Sequence, residues 1–243
     1  MFDGTRERCA SVLAAHRHSG FTANAKVAYH FLLDPRVALQ LLLLRPTFLF
    51  PLSVIVLGTA VALGCYFFLV DFDWLIQEQA SRQGEHSKHG QTSRIAALSM
   101  SLAATLAGIP LLRVAQALYF HFAAKLLTVG LGFRHWLSLA CWSNLPLFVP
   151  LPAFVLALVV HPNRQVSQQA LEVFSLNNLL FHVEPNDPLY QVFTTLTVLH
   201  PWAWWLAALG IKEWGGLSWA CALFVVLLPK VVIYGGWAAS ILF

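Results

Sequence analysis

The chain has 243 residues, 58% of them hydrophobic and only 11% charged, with a formal net charge of +4. Soluble domains carry about a quarter charged residues, so a chain this apolar cannot cover itself with polar surface and needs lipid. Its basic residues are scattered around apolar runs instead of forming one stripe, which argues against a nucleic-acid partner and makes them topology signals. Cys9, Cys65, Cys141 and Cys221 lie far apart, three of them in apolar segments, and indicate neither a disulfide framework nor a zinc site. The opening MFDGTRERCASVLAAHRHSG lacks a long apolar stretch and a small-residue cleavage site, so the first spans are expected to act as uncleaved insertion signals.

In chain order, residues 1–33 read as a cytoplasmic N-terminal segment and 34–243 as a membrane domain. Asp34 and Pro35 supply an N-cap and a first-turn proline, and VALQLLLLR then runs to Pro46, which predicts a helix of about twelve residues, too short to span. Val37, Leu41 and Leu44 fall at i, i+4 and i+7, so this amphipathic helix either lies in the cytoplasmic interface or docks on the bundle. Five stretches have the roughly 20 apolar residues that a bilayer requires. They are about 48–70, 101–129, 136–160, 190–209 and 217–240. The second is the least regular, interrupted by Pro110, Arg113 and His121. The fold class expected is therefore all-α, a polytopic bundle of five transmembrane helices preceded by a short interfacial amphipathic helix.

Between the first two spans, DFDWLIQEQASRQGEHSKHGQTSR reads as a polar loop whose start is anchored by Phe72, Trp74, Leu75 and Ile76. The segment between spans three and four carries apolar residues at near-helical spacing and a turn at Glu184 to Pro188. With five spans and a cytoplasmic N-terminus, Arg6, Arg8, Arg17, Lys26, Arg36, Arg45, Lys125, Arg134 and Lys212 face the cytoplasm, against Arg82, Lys88, Arg94 and Arg164 outside. Nine against four favours that orientation, in the inner membrane, with the C-terminus extracytoplasmic.

Four features in order, LLDPRVALQLLLLRPTFLFPL, VDFDWLIQEQ, HWLSLACWSNLPLFVPLPAF and SLNNLLFHVEPNDPLY to LLPKVVIYGGWAA, resemble the bacterial branch of the Yip-domain family, relatives of the eukaryotic Ypt-interacting proteins. The resemblance covers nearly the whole chain after residue 30. It implies a cytosolic N-terminus, an interfacial helix and a five-span bundle. Eukaryotic members are associated with Rab/Ypt-type GTPases and with membrane shaping or trafficking, through a cytosolic segment longer than this one. No family-wide activity carries over to individual residues here.

Arg113 is the sharpest anomaly, because a mid-membrane charge costs at least about 2.5 kcal/mol and faces protein or water. Gln116 and His121 share an arc of one helix with it, as a substrate, proton or lipid-headgroup site or as a lock on backbone carbonyls. Lys230 follows Pro229 in the last span, and no Asp or Glu lies in any apolar stretch. Arg113 and Lys230 therefore suit anionic groups such as lipid phosphates better than a carboxylate proton relay. Asn144, in SNLPLFVPLP, belongs to a broken helix that either lines a cavity or kinks for packing. His86 and His89 have a three-residue spacing but no further ligands, and His16 and His18 read as solvated. Gly58 with Ala62 and Ala60 with Gly64 are small-residue pairs for helix packing or an oligomer contact. Trp202, Trp204, Trp205, Trp214 and Trp219 read as an aromatic belt. Nucleophile elbows and phosphate-binding glycine loops are missing, so neither an enzyme nor a cofactor is expected. The expected partners are the bilayer and a membrane protein or anionic lipid, with a place in a larger complex also open. The expected roles are partner binding or lipid organisation, with a permeation pathway around Arg113 as the alternative.

Overall fold

A computed structural model describes residues 20–83, 93–161, 163–167, 171–184 and 187–242. Cys9, His16, His18, His86 and His89 lie outside the described residues. The described chain is all-helical apart from one isolated antiparallel bridge, Ser175 with Thr197. Its helices are α1 (Gly20–Leu33), α2 (Pro35–Leu44), α3 (Leu49–Leu69), α4 (Phe72–Gln83), α5 (Arg94–Leu126), α6 (Phe133–Ser143), α7 (Leu151–Val160), α8 (Tyr190–Thr195), α9 (His200–Gly215) and α10 (Trp219–Leu242). Four stretches are long and apolar enough to cross a membrane: Leu49–Leu69, Arg94–Leu126, Phe133–Val160 and Trp219–Ile241. At 1.5 Å per residue α3 is about 31 Å long and matches the hydrocarbon thickness, while the 33 residues of α5 exceed it.

Sequence signals set most helix ends. Asp34 Oδ1 accepts the Val37 N–H at 3.4 Å and Pro35 opens α2. The residues that α2 buries are Ala38, Leu39, Leu41 and Leu42, so its inward face is rotated from the expected Val37–Leu41–Leu44 stripe, and Leu44 is exposed. Asp71 Oδ1 accepts the Trp74 N–H at 3.2 Å and starts α4 where the sequence suggested a loop. Phe72 and Leu75, three residues apart, are buried and hold that helix down. Gly216, at φ 63°, closes α9 in the left-handed conformation that suits glycine.

The fourth expected span differs most. Residues 190–209 are divided between α8 and α9, with Leu196–Leu199 unwound between them. Pro201 lacks an N–H and its ring blocks a helix through the carbonyl four residues back. The freed backbone is satisfied elsewhere: the Leu176 N–H donates to Leu196 O at 2.7 Å and the Val198 N–H to Phe174 O at 3.1 Å. His200 Nδ1 accepts the Thr197 N–H at 2.9 Å, so the first side chain of α9 satisfies the unwound segment before it.

The chain divides into two compact units. One holds residues up to Val54, Leu111–Leu145 and Trp202–Pro229; the other holds Ile55–Pro110, Pro146–Pro201 and Lys230–Phe243. In the first, the Trp142 ring stacks on Phe31 at 5.7 Å and on Phe50 at 5.9 Å, among Leu39, Leu42, Leu139, Leu206 and Leu209. A Cβ at Gly210 would overlap Leu139, so α6 and α9 touch closely there. In the second, Tyr66, Phe67, Phe72, Leu158 and Leu171 form the core. The segment after α7 is latched: the Tyr66 hydroxyl donates to Val166 O at 3.1 Å, the Asp71 N–H to Arg164 O at 2.9 Å, and Gln165 Nε2 to Asp71 Oδ2 at 3.0 Å.

Candidate functional site

Within the first unit, three of the polar residues singled out in the sequence meet. Arg113 faces inward on α5, on the side that also carries buried Ala117 and Phe120, one and two turns on. Its Nη1 donates to Gln116 Oε1 at 3.0 Å, and the same oxygen accepts Asn144 Nδ2 at 3.1 Å. Asn144 sits at the end of α6, where the helix gives way to a 3₁₀ turn at Leu145–Phe148 because Pro146 and Pro150 follow. Its amide also donates to Ala140 O at 2.8 Å. One glutamine oxygen thus ties a guanidinium on α5 to an amide on α6.

The cluster remains electrostatically open. Arg113 has no carboxylate partner among the described residues, and its Nε is buried without a hydrogen bond. Amides disperse the charge without neutralising it, so the site can accept an anion or fix two helices, but it has no proton-transfer pair. His121 does not join: its ring meets Phe133 edge-on at 6.1 Å and its Nδ1 is buried without a partner. Lys230 belongs to the second unit. No group of three or more His, Cys, Asp or Glu placed to hold a metal occurs among the described residues.

A second polar feature of the first unit was not legible as a site. The Trp214 indole N–H donates to Leu39 O at 3.0 Å, and His135 Nε2 lies 3.3 Å from Leu43 O. Thr47 O accepts both Ser138 Oγ at 2.8 Å and the Trp142 indole N–H at 2.7 Å. Arg36 and Glu213 approach to 3.8 Å. Together these bonds fasten α2 and the segment after it along the length of α6 and to the end of α9. Trp214, grouped with an aromatic belt by the sequence, here serves as a hydrogen-bond donor. Only its clustering with Trp136, at 5.9 Å, would mark it, and that needs the fold.

In the second unit, an open cleft of about 640 Å³ is lined by Leu57, Gly58, Val61, Leu151, Val155 and neighbouring apolar residues. A Cβ at Gly58 would come within 3.1 Å of Leu151, so this small residue serves packing of α3 against α7. Outside the spans, the Asp71 carboxyl is held below its ordinary value of 3.8, first by the Gln165 amide and then by the Trp74 N–H.

No curated protein and no solved structure matches the chain. The Yip1 domain profile does, over residues 29–240, which takes in α2 to α10, the Arg113–Gln116–Asn144 cluster and the residues that fasten α2. The protein is therefore a membrane protein that belongs to the Yip1 domain family.

Proposed function

We propose that the chain is a non-enzymatic, Yip-type protein of the bacterial inner membrane that crosses five times, keeps its N-terminus in the cytoplasm, and binds a membrane-protein partner or organises lipids. The observation that carries it is the cap of α1 and α2, fastened at one end of the spans by the Trp214, His135 and Thr47 bonds. A rigidly held, charged, non-catalytic surface beside the bilayer suits recognition. Native purification in mild detergent, with mass spectrometry of bound proteins and lipids, tests it. A stoichiometric membrane-protein partner or selectively retained anionic lipid supports the proposal, and finding neither contradicts it.

A fifth crossing is supported by parity. Residues 164–166 bond to Tyr66 and Asp71, at the far end of the first span. Residues 213 and 214 bond to α2, which precedes that span. A return of the chain through α8, residues 196–199 and α9 is the crossing proposed here. The nine-to-four distribution of Lys and Arg supports a cytoplasmic N-terminus.

The Arg113 cluster motivates a second reading, a permeation pathway, because its buried Nε lacks a partner. Cys141 is fully buried one turn before Asn144 and serves as a native probe. Reaction of Cys141 with a charged, water-soluble thiol reagent, mapped by peptide, favours a water path; inertness favours a structural lock.

A further inference from the structure

The sequence leaves the helix after Asp34 either in the interface or docked on the bundle, and the structure turns its apolar face inward: Ala38, Leu39, Leu41 and Leu42 are all buried. The helix before it has a second apolar face that nothing among the described residues covers. On α1, Val27 and Phe31 point into the core, four residues apart. Tyr29, Leu32 and Leu33, at i, i+3 and i+4 on the opposite side, are 62%, 51% and 66% exposed. Lys26, one turn before Tyr29, is exposed beside them.

We infer that this face of α1 docks on an anionic lipid leaflet, inserting Tyr29, Leu32 and Leu33 below the headgroups. Charge identifies the occupant. Among the described residues of the first unit, Lys26, Arg36, Arg45, Arg113, Lys125, Arg134 and Lys212 are balanced by only Asp34 and Glu213. Glu213 already approaches Arg36 and Lys212, and Asp34 caps α2. The surplus in this unit is cationic, and Lys26 carries it onto the face of the exposed aromatic and two leucines, the composition of a helix that lies on an acidic membrane. Continuity points the same way: α2 leads through Arg45 and Pro46 directly into the first span at Leu49, so the cap is tethered next to the bilayer.

The inference rests on the lipid-organising form of the function proposed above. Its test uses the full chain in nanodiscs of phosphatidylcholine, alone or mixed with phosphatidylglycerol, and follows hydrogen exchange of Gly20–Leu33 amides. The expected result is slower exchange in α1 with phosphatidylglycerol, reversed by high salt, while the docked α2 amides do not change. Lys26→Glu should weaken the lipid-dependent protection by at least about fivefold, the effect of one basic residue at such a surface. Leu33→Gln should weaken it as well, and provides a second variant if Lys26→Glu also loosens α2. Exchange in α1 that ignores lipid charge, or protection that follows protein density instead, overturns the inference. If native purification still retains a partner or lipid in that case, the proposed function stands and only the docking of α1 fails.

Discussion

At the scale of residues, Gln116 joins two spans through a single oxygen. Replacing it by Leu removes the acceptor for both Arg113 and Asn144 and leaves a buried cation without a bond. The expected loss is about 3 kcal/mol, against roughly 1 kcal/mol for Asn144→Ala, which leaves the Arg113–Gln116 bond intact. Thermal unfolding in detergent should rank the two in that order. Arg113→Met, by contrast, should be nearly neutral for stability if the cluster only locks helices, because an apolar chain of similar volume removes the charge altogether. Asp71 behaves differently, because it sits outside the spans. Its folded value is lowered from 3.8, so its contribution to stability is fully present above that value and is lost as pH falls through the lower folded one. Asp71→Asn should flatten this acid limb of the stability profile, measured by unfolding between neutral and strongly acidic pH.

At the scale of elements, hydropathy makes the long helices legible because a span must satisfy its backbone internally and stay apolar along its length. The structure carries α3, the two proline-bearing helices α5 and α10, and the interrupted Phe133–Val160 stretch close to their expected positions. The break within the 190–209 stretch was not legible because it depends on Pro201 and on backbone pairing with residues 174–176, twenty or so positions away. Hydropathy averages over the first and cannot see the second. The weakly patterned GFTANAKVAYHFLL hid α1, whose partners Trp142 and α2 appear only in the fold. Arg113, Gln116 and Asn144 were each visible as polar residues in apolar runs, but the oxygen they share required the packing of α5 on α6. That packing and the neighbouring contact of α6 with α9 are tight enough to test. Gly210→Ala places a methyl group against Leu139 and should cost about 1–3 kcal/mol. Trp214→Phe keeps a ring against Trp136 but loses the bond to Leu39 O, so exchange of α2 amides should accelerate with little change elsewhere.

At the scale of the whole molecule, membership of the Yip1 domain family and the spanning helices define a membrane protein, and its two units differ in their charges and polar bonds. The unit that carries α1 and α2 is basic. In the second unit, Asp71, Arg94 and the backbone of residues 164–166 form a latch. On the function proposed above, the path of the chain between residues 161 and 218 decides which side of the membrane its surfaces can reach.

The most direct test is sidedness of two exposed positions, Asn163→Cys and Ser218→Cys, with an impermeant thiol reagent applied to intact and then permeabilised inner-membrane preparations. The account predicts that residue 163 labels from outside and residue 218 only from the cytoplasmic side, because the chain recrosses between them. Labelling of both from the same side would contradict it.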